Sequence, residues 1–269
     1  MRVSPFLVVV LAACGVDAEP RGHASGAESA WQTPEPVSSG ATPAEVAPED
    51  RPRRCRDASR VGFVFAADTH FGFDAAVDER NLVAIEAMNR IAGTPFPRAL
   101  GGEVPDICGV LVGGDLTEHG RPEEWARFLA AFGLRGGDGK LAHPVYETLG
   151  NHDKYAGFYV RDRIFERHGS TVYSFDWGPV HVVALGEAPD DEDLAWLARD
   201  LAAMPPGSSV IAFMHFPLDG AFSRGQWFGD GPYRERLLDV LAPYPVLGVF
   251  HGHYRSEEHT SELQSLTNL

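Results

Sequence analysis

An α/β fold built on a mainly parallel sheet is predicted by three features between Arg60 and Tyr254: short, continuously apolar runs, amphipathic stretches between them, and a polar cluster closing each run. The runs are VGFVFAAD, GVLVGGD, PVYETLGNHD, SSVIAFMH and PVLGVFHGH. A strand covered on both faces loses the apolar/polar alternation of a half-exposed one, so such runs belong to a sheet with helices over it. Helical patterns over Asp78–Ala92, Pro122–Phe132, Asp190–Met204 and Tyr233–Leu241 supply that cover. In the third, Leu194, Leu197 and Leu201 repeat at helical spacing, while Asp191, Glu192, Arg199 and Asp200 are expected to face water. The segment STVYSFDWGPVHVVALGE reads differently. Two β-rich runs meet at Asp176-Trp177-Gly178-Pro179, which predicts a hairpin and therefore an antiparallel portion of sheet.

Composition narrows the function classes. The 269 residues are 44% apolar, enough for one full core plus flexible appendages, and exclude a wholly disordered chain. With 23 Lys and Arg against 38 Asp and Glu, the net charge is -15, so no basic surface is expected to track a polyphosphate backbone and no nucleic-acid partner is expected. Three cysteines are too few for a disulfide-built scaffold. Cys55 and Cys108 precede the first two strands and either pair in an oxidising compartment or remain free thiols.

The ends read as appendages. Residues 1–14 carry Arg2, an apolar run from Pro5 to Ala13, and then Leu11-Ala12-Ala13-Cys14-Gly15, which is similar to the lipobox of bacterial lipoproteins. On that likeness Cys14 is lipidated and anchors the chain, outside the cytoplasm, to a membrane of the bacterial cell envelope; the alternative is an ordinary signal peptide and a secreted protein. Residues 15–57, rich in Pro, Ala, Ser, Gly and Glu, read as a disordered linker. Residues 58–254 form the domain. The run RSEEHTSELQS at the start of residues 255–269 resembles a translated sequencing adapter, so that stretch reads as a non-native tail on a domain missing its last strands; the alternative is a genuine polar tail.

The polar clusters carry the chemistry. They contain Asp68 and His70, Asp115, Asn151 with His152 and Asp153, His215, and His251 with His253. In an open α/β sheet the carboxyl ends of the strands face one crevice, so these groups are expected to converge. Oxygen and imidazole donors without thiolate suit Mn, Fe or Zn. Six or more donors suffice for two divalent ions if one carboxylate bridges them. Such a pair generates hydroxide at neutral pH and clamps both oxygens of an in-line displacement at phosphorus, so a phosphoester substrate follows.

The ordered set Asp68-x-His70, Gly114-Asp115, Gly150-Asn151-His152-Asp153, His215 and Gly252-His253 resembles the signature of the calcineurin-like metallophosphoesterase superfamily over Val61 to Tyr254. The resemblance implies a two-sheet β-sandwich flanked by helices, with the metals at one rim. It implies that Asp68 and His70 hold one ion, that Asp115 bridges, and that Asn151, His215 and His253 hold the other. By the same resemblance His152 serves the leaving-group oxygen and Asp153 orients that imidazole. The glycines at 114, 150 and 252 are expected to let the backbone bend and to leave room for ions and phosphate. His119, in the crevice loop, and the aromatic residues Phe71, Phe73, Tyr155 and Trp227 are candidates to touch substrate.

One position departs from the family pattern. Its last motif is Gly-His-x-His, and Arg255 stands where the second histidine belongs. Arginine has no lone pair to donate to a metal. The alternatives to an active hydrolase are therefore an inactive fragment of such an enzyme, or a module that binds metal or phosphate without catalysis.

Overall fold

The computed structural model describes residues 60–99, 101–218 and 232–253. The expectations for Cys14, the linker, Cys55, Trp227, Arg255 and the tail lie outside these residues. Two sheets form. One, in the order β1-β2-β3, contains β1 (Gly62–Ala66), β2 (Ile107–Gly113) and β3 (Val145–Thr148), all parallel. The other, in the order β4-β5-β6-β7, contains β4 (Val172–Trp177), β5 (Val180–Leu185), β6 (Ser209–Met214) and β7 (Val246–His251). Only the β4–β5 hairpin is antiparallel. The strands read from the sequence are all present, divided between two sheets as the family resemblance implies.

Alternation along each strand builds the layers. Phe63 and Phe65 of β1 point between the sheets, where they meet Leu111, Tyr146, Phe175, Trp177, Ile211, Phe213 and Phe250. Val64 and Ala66 point the other way, toward Ile85, Met88, Phe128 and Ile164 on the helices. In β6, Ile211 and Phe213 face the first sheet while Val210, Ala212 and Met214 face Leu197, Leu201 and Leu237. Both faces of each central strand are buried, which is why those strands read as unbroken apolar runs. The sandwich interior is aromatic: Tyr146 stacks on Phe175 at 4.0 Å, and Phe250 meets Phe63 edge-on at 5.5 Å.

The helices α1 (Ala75–Arg90), α2 (Pro122–Phe132) and α3 (Tyr159–His168) cover the first sheet, and α4 (Asp191–Ala202) and α5 (Pro232–Leu241) the second. Helix α1 begins before the predicted start because Asp74 caps it, accepting from the Val77 amide at 2.7 Å. Asp190 caps α4 through the Glu192 and Asp193 amides. Helix α3 was not legible as an amphipathic stretch. Its buried side is only Val160, Ile164 and His168, and its anchor is polar: Arg167 and His168 reach the fully buried Glu147 of β3. Cys108, in β2, is disulfide-bonded, with its partner beyond the described residues. Among the described residues no helix is long and apolar enough to cross a membrane.

Asp200 does not face water as expected. It turns to the second sheet, where its Oδ2 lies 2.8 Å from His181 Nε2 and its Oδ1 accepts from Ser174 Oγ. His181 Nδ1 lies 2.7 Å from Asp176 across the hairpin. Burial opposes a charge on His181, but the two carboxylates outweigh it and raise its pKa to about 9. A histidine pKa raised on folding stabilises fully below its unfolded value near 6.5 and loses that contribution as pH rises through 9. Urea unfolding of the wild type and His181→Gln is expected to differ by about 2 kcal/mol at pH 6, Asp176 being partly solvated. The difference should vanish above about pH 9.5.

Candidate metal centre

Every predicted ligand lies just beyond the carboxyl end of a strand. Asp68 and His70 follow β1, Asp115 follows β2, Asn151 follows β3, His215 follows β6 and His253 follows β7. Among the described residues four that are not glycine hold a positive φ: Asp68 at 56°, His70 at 41°, Asp115 at 50° and His253 at 72°. All four belong to the predicted ligand set. Such backbone costs about 1–3 kcal/mol per residue and persists only where surrounding contacts impose it. Here they do: the His70 amide donates to the Asp115 carbonyl at 2.9 Å, and the Asp68 amide to the Gly114 carbonyl at 3.0 Å.

These side chains converge on one rim shared by both sheets. His215 Nε2 lies 3.2 Å from Asp115 Oδ2 and 3.0 Å from Asn151 Oδ1. His253 Nδ1 lies 3.1 Å from the same Asn151 oxygen and 3.2 Å from His215 Nε2. His70 Nε2 approaches Asp115 Oδ2 at 3.7 Å and Asp68 Oδ1 at 3.8 Å. Asp68 also accepts the His253 amide on both oxygens, at 3.1 and 2.9 Å, which ties β7 to the opposite sheet. His215 makes a second tie, donating from Nδ1 to the Gly113 carbonyl at 2.9 Å. That bond fixes the ring with Nε2 directed at the centre.

The expected partnership of His152 with Asp153 is corrected by the geometry. Asp153 is fully buried and spends its carboxylate on the amides of Leu116, Thr117 and Gly150 and on the Thr117 hydroxyl. It clamps the loop after β2 to the loop after β3. Adjacent in sequence, the two side chains leave a 3₁₀ turn (His152–Lys154) in different directions. The residue that meets His152 is Glu118: its carbonyl lies 2.9 Å from His152 Nδ1 and its Oε1 3.6 Å. The other oxygen of Glu118 is 2.8 Å from His70 Nδ1. Sequence reasoning passed over Glu118, although a carboxylate three residues past Asp115 in a crevice loop was the available signal. One of the substrate candidates is also reassigned: Phe71 is buried in the helix-side core. His119 has its Nδ1 3.1 Å from Glu124 and keeps a partly exposed ring.

Electrostatics follow from this crowding. Burial raises the cost of the Asp115 charge, but His215, His152 and His70 outweigh it and hold its pKa below the usual carboxylate range. Burial opposes ionisation of Glu118 too, yet His152 and His70 pull it down to about 2. His215 goes up to about 9: burial disfavours its charge, and the Asp115 carboxylate overcomes that. His253 is pushed down to about 4, first by burial and then by His215. Asp153 rises to about 6 because burial and the Asp115 charge outweigh its four donors.

The donor set suits a divalent cation. His70, Asp115 and His152 form one group of donors within 4.8 Å of one another, and Asp115, His215 and His253 a second; each group could hold a metal ion. Asp115 belongs to both. The glycines under the site were expected to leave room for ions, but they leave room for ligands. A methyl built on Gly114 would lie 2.7 Å from His215 Nδ1, one on Gly252 2.7 Å from Asp68 Oδ2, and one on Gly150 2.2 Å from Asp115 Oδ1. Only Gly114, at φ +83°, also needs the conformation. Gly150→Ala is therefore expected to lower Mn(II) affinity by about tenfold or more in calorimetry, since it must move Asp115. An unchanged affinity would mean that Asp115 is not a ligand.

The calcineurin-like phosphoesterase family profile matches residues 62–254, a range that contains all of these residues. No curated protein matches the chain. The span of that match takes in both sheets and every strand end that contributes to the rim. The chain thus belongs to the calcineurin-like phosphoesterase family.

Proposed function

We propose that this protein is a metal-dependent hydrolase of phosphoric monoesters or diesters that works with two divalent ions, Mn, Fe or Zn. The observation carrying this reading is that Asp115 lies in both donor groups, one with His70 and His152 and the other with His215 and His253. In the proposed arrangement Asp68 and His70 would hold one ion and Asn151, His215 and His253 the other, with Asp115 available to both. Bound ions of this kind supply Lewis acidity, polarising phosphoryl oxygens and bringing the pKa of water near neutrality.

The chain's own residues do the rest. Glu118 keeps His70 oriented with Nε2 toward the centre and places an ionised carboxylate next to the His152 ring. With Nδ1 held by the Glu118 carbonyl, His152 presents Nε2 outward. In that orientation a proton at His152 Nε2 can pass to the departing ester oxygen. Asp153, assigned from the sequence to orient His152, contributes instead by fixing the two loops that carry Asp115 and Asn151.

The proposed site of action is outside the cytoplasm of a bacterium, with the chain lipid-anchored through Cys14 or secreted. The lipobox-like Leu11–Gly15 segment supports this, as does the disulfide at Cys108, because such bonds persist in oxidising compartments. A second reading, a chain inactive as a hydrolase, is favoured by Arg255 at the position of the family's last histidine. Metal analysis separates the two: about two ions per chain supports hydrolysis, and one or none the alternative. Mn(II)-dependent release of p-nitrophenol from its phosphate mono- and diesters is expected to fall at least ~100-fold in Asp115→Asn and in His152→Ala. Glu118→Gln should fall by about ten- to a hundredfold. Full activity in both of the first two variants would reject the assignment.

A further inference from the structure

We infer that Tyr155 is the platform on which the leaving group of the substrate rests, and that the preferred esters carry a planar, uncharged ring on that group. This rests on the proposed role of His152, because a group acting on the leaving-group oxygen must have the leaving group itself just outside it. Tyr155 occupies that place. Its ring centroid is 4.5 Å from that of His152, and the residue is 58% exposed, the second most exposed large apolar or aromatic side chain among the described residues.

The ring is held in place. Its hydroxyl accepts from Asn151 Nδ2 at 2.8 Å, so one end is fastened to a proposed ligand while one side leans on the imidazole. A ring fixed at two points loses little further freedom when a flat group stacks on it, so stacking is cheap there. The same hydrogen bond turns the Asn151 Oδ1 toward His215 and His253.

The cations that follow or flank Tyr155 in the chain disfavour a charged leaving group. Lys154, next in the chain, is paired with Glu187; Arg161 is paired with Asp162 and Arg163 with Glu166. Arg161 and Arg163 also lie over the rings of Phe158 and Tyr159. Among the described residues these cations are already paired, so a leaving group that bears further phosphates would have to compete with their carboxylates. An alcohol that carries an aryl ring or a heterocyclic base fits better than one that carries a polyphosphate tail.

Calorimetric titration of the Mn(II)-loaded chain with phenylphosphonate and with ethylphosphonate tests this without turnover. Wild type is expected to bind the phenyl compound about two- to tenfold more tightly, the range of one aromatic contact. Tyr155→Phe keeps the ring and should keep the preference, whereas Tyr155→Leu should abolish it; both lose the hydroxyl that fastens Asn151, so the ratio of phenylphosphonate to ethylphosphonate affinity in Tyr155→Leu is read against that in Tyr155→Phe. A thermal unfolding curve for each variant identifies any loss of fold, in which case Tyr155→Trp, expected to retain the preference, replaces it in the comparison. Equal binding of the two compounds by wild type, or an unchanged preference in Tyr155→Leu, would overturn the inference. Failure of the loaded wild type to hydrolyse any ester while the phenyl preference persists would count against the proposed activity and leave the platform standing.

Discussion

The buried carboxylate of Asp115 is the constraint around which the rim is organised. It is 2% exposed, lies in a left-handed backbone conformation, and accepts the His152 amide at 2.9 Å while His215 and His70 crowd its other oxygen. A carboxylate removed from water is tolerable only when positive charge or hydrogen-bond donors replace the lost hydration. The protein meets that requirement with groups from both sheets. That makes the centre a joint between the sheets as well as a candidate site: His215 reaches Gly113, and the His253 amide reaches Asp68.

The sandwich explains how such groups can be held. Strands buried on both faces are rigid along their length, and their parallel arrangement brings the carboxyl ends of β1, β2 and β3 to the same edge. Close packing leaves little freedom at that edge, as the glycines show: Cβ atoms at 114, 150 and 252 would each collide with a ligand or its neighbour. The strained φ angles at four of the predicted ligands are sustained by this surrounding rigidity. Asp153 extends it by bonding two loops from beneath, so a residue with no direct line to His152 still governs where Asp115 and Asn151 stand.

Much of this was legible in the chain before any coordinates. Unbroken apolar runs announced strands covered on both sides, and the donor at the end of each run marked the edge where they would meet. Helix α3 escaped because its anchor is an ion pair to Glu147, which leaves little apolar periodicity to read. Asp200 was misplaced for a related reason. A charged residue on a helix reads as solvent-facing unless its partner is known, and His181 lies 19 residues away on another element.

Residue order and type alone determined that carboxylates, imidazoles and an amide would follow strands at one edge, a donor set that suits divalent cations. What they left open was pairing. That Glu118 meets His152 while Asp153 turns beneath the loops, that His70 and His152 share one carboxylate, and that Tyr155 fastens Asn151 were all decided by the paths of the loops. The reason is physical: a hydrogen bond depends on distance and direction over a few ångströms, and those are set by packing among segments far apart in the chain.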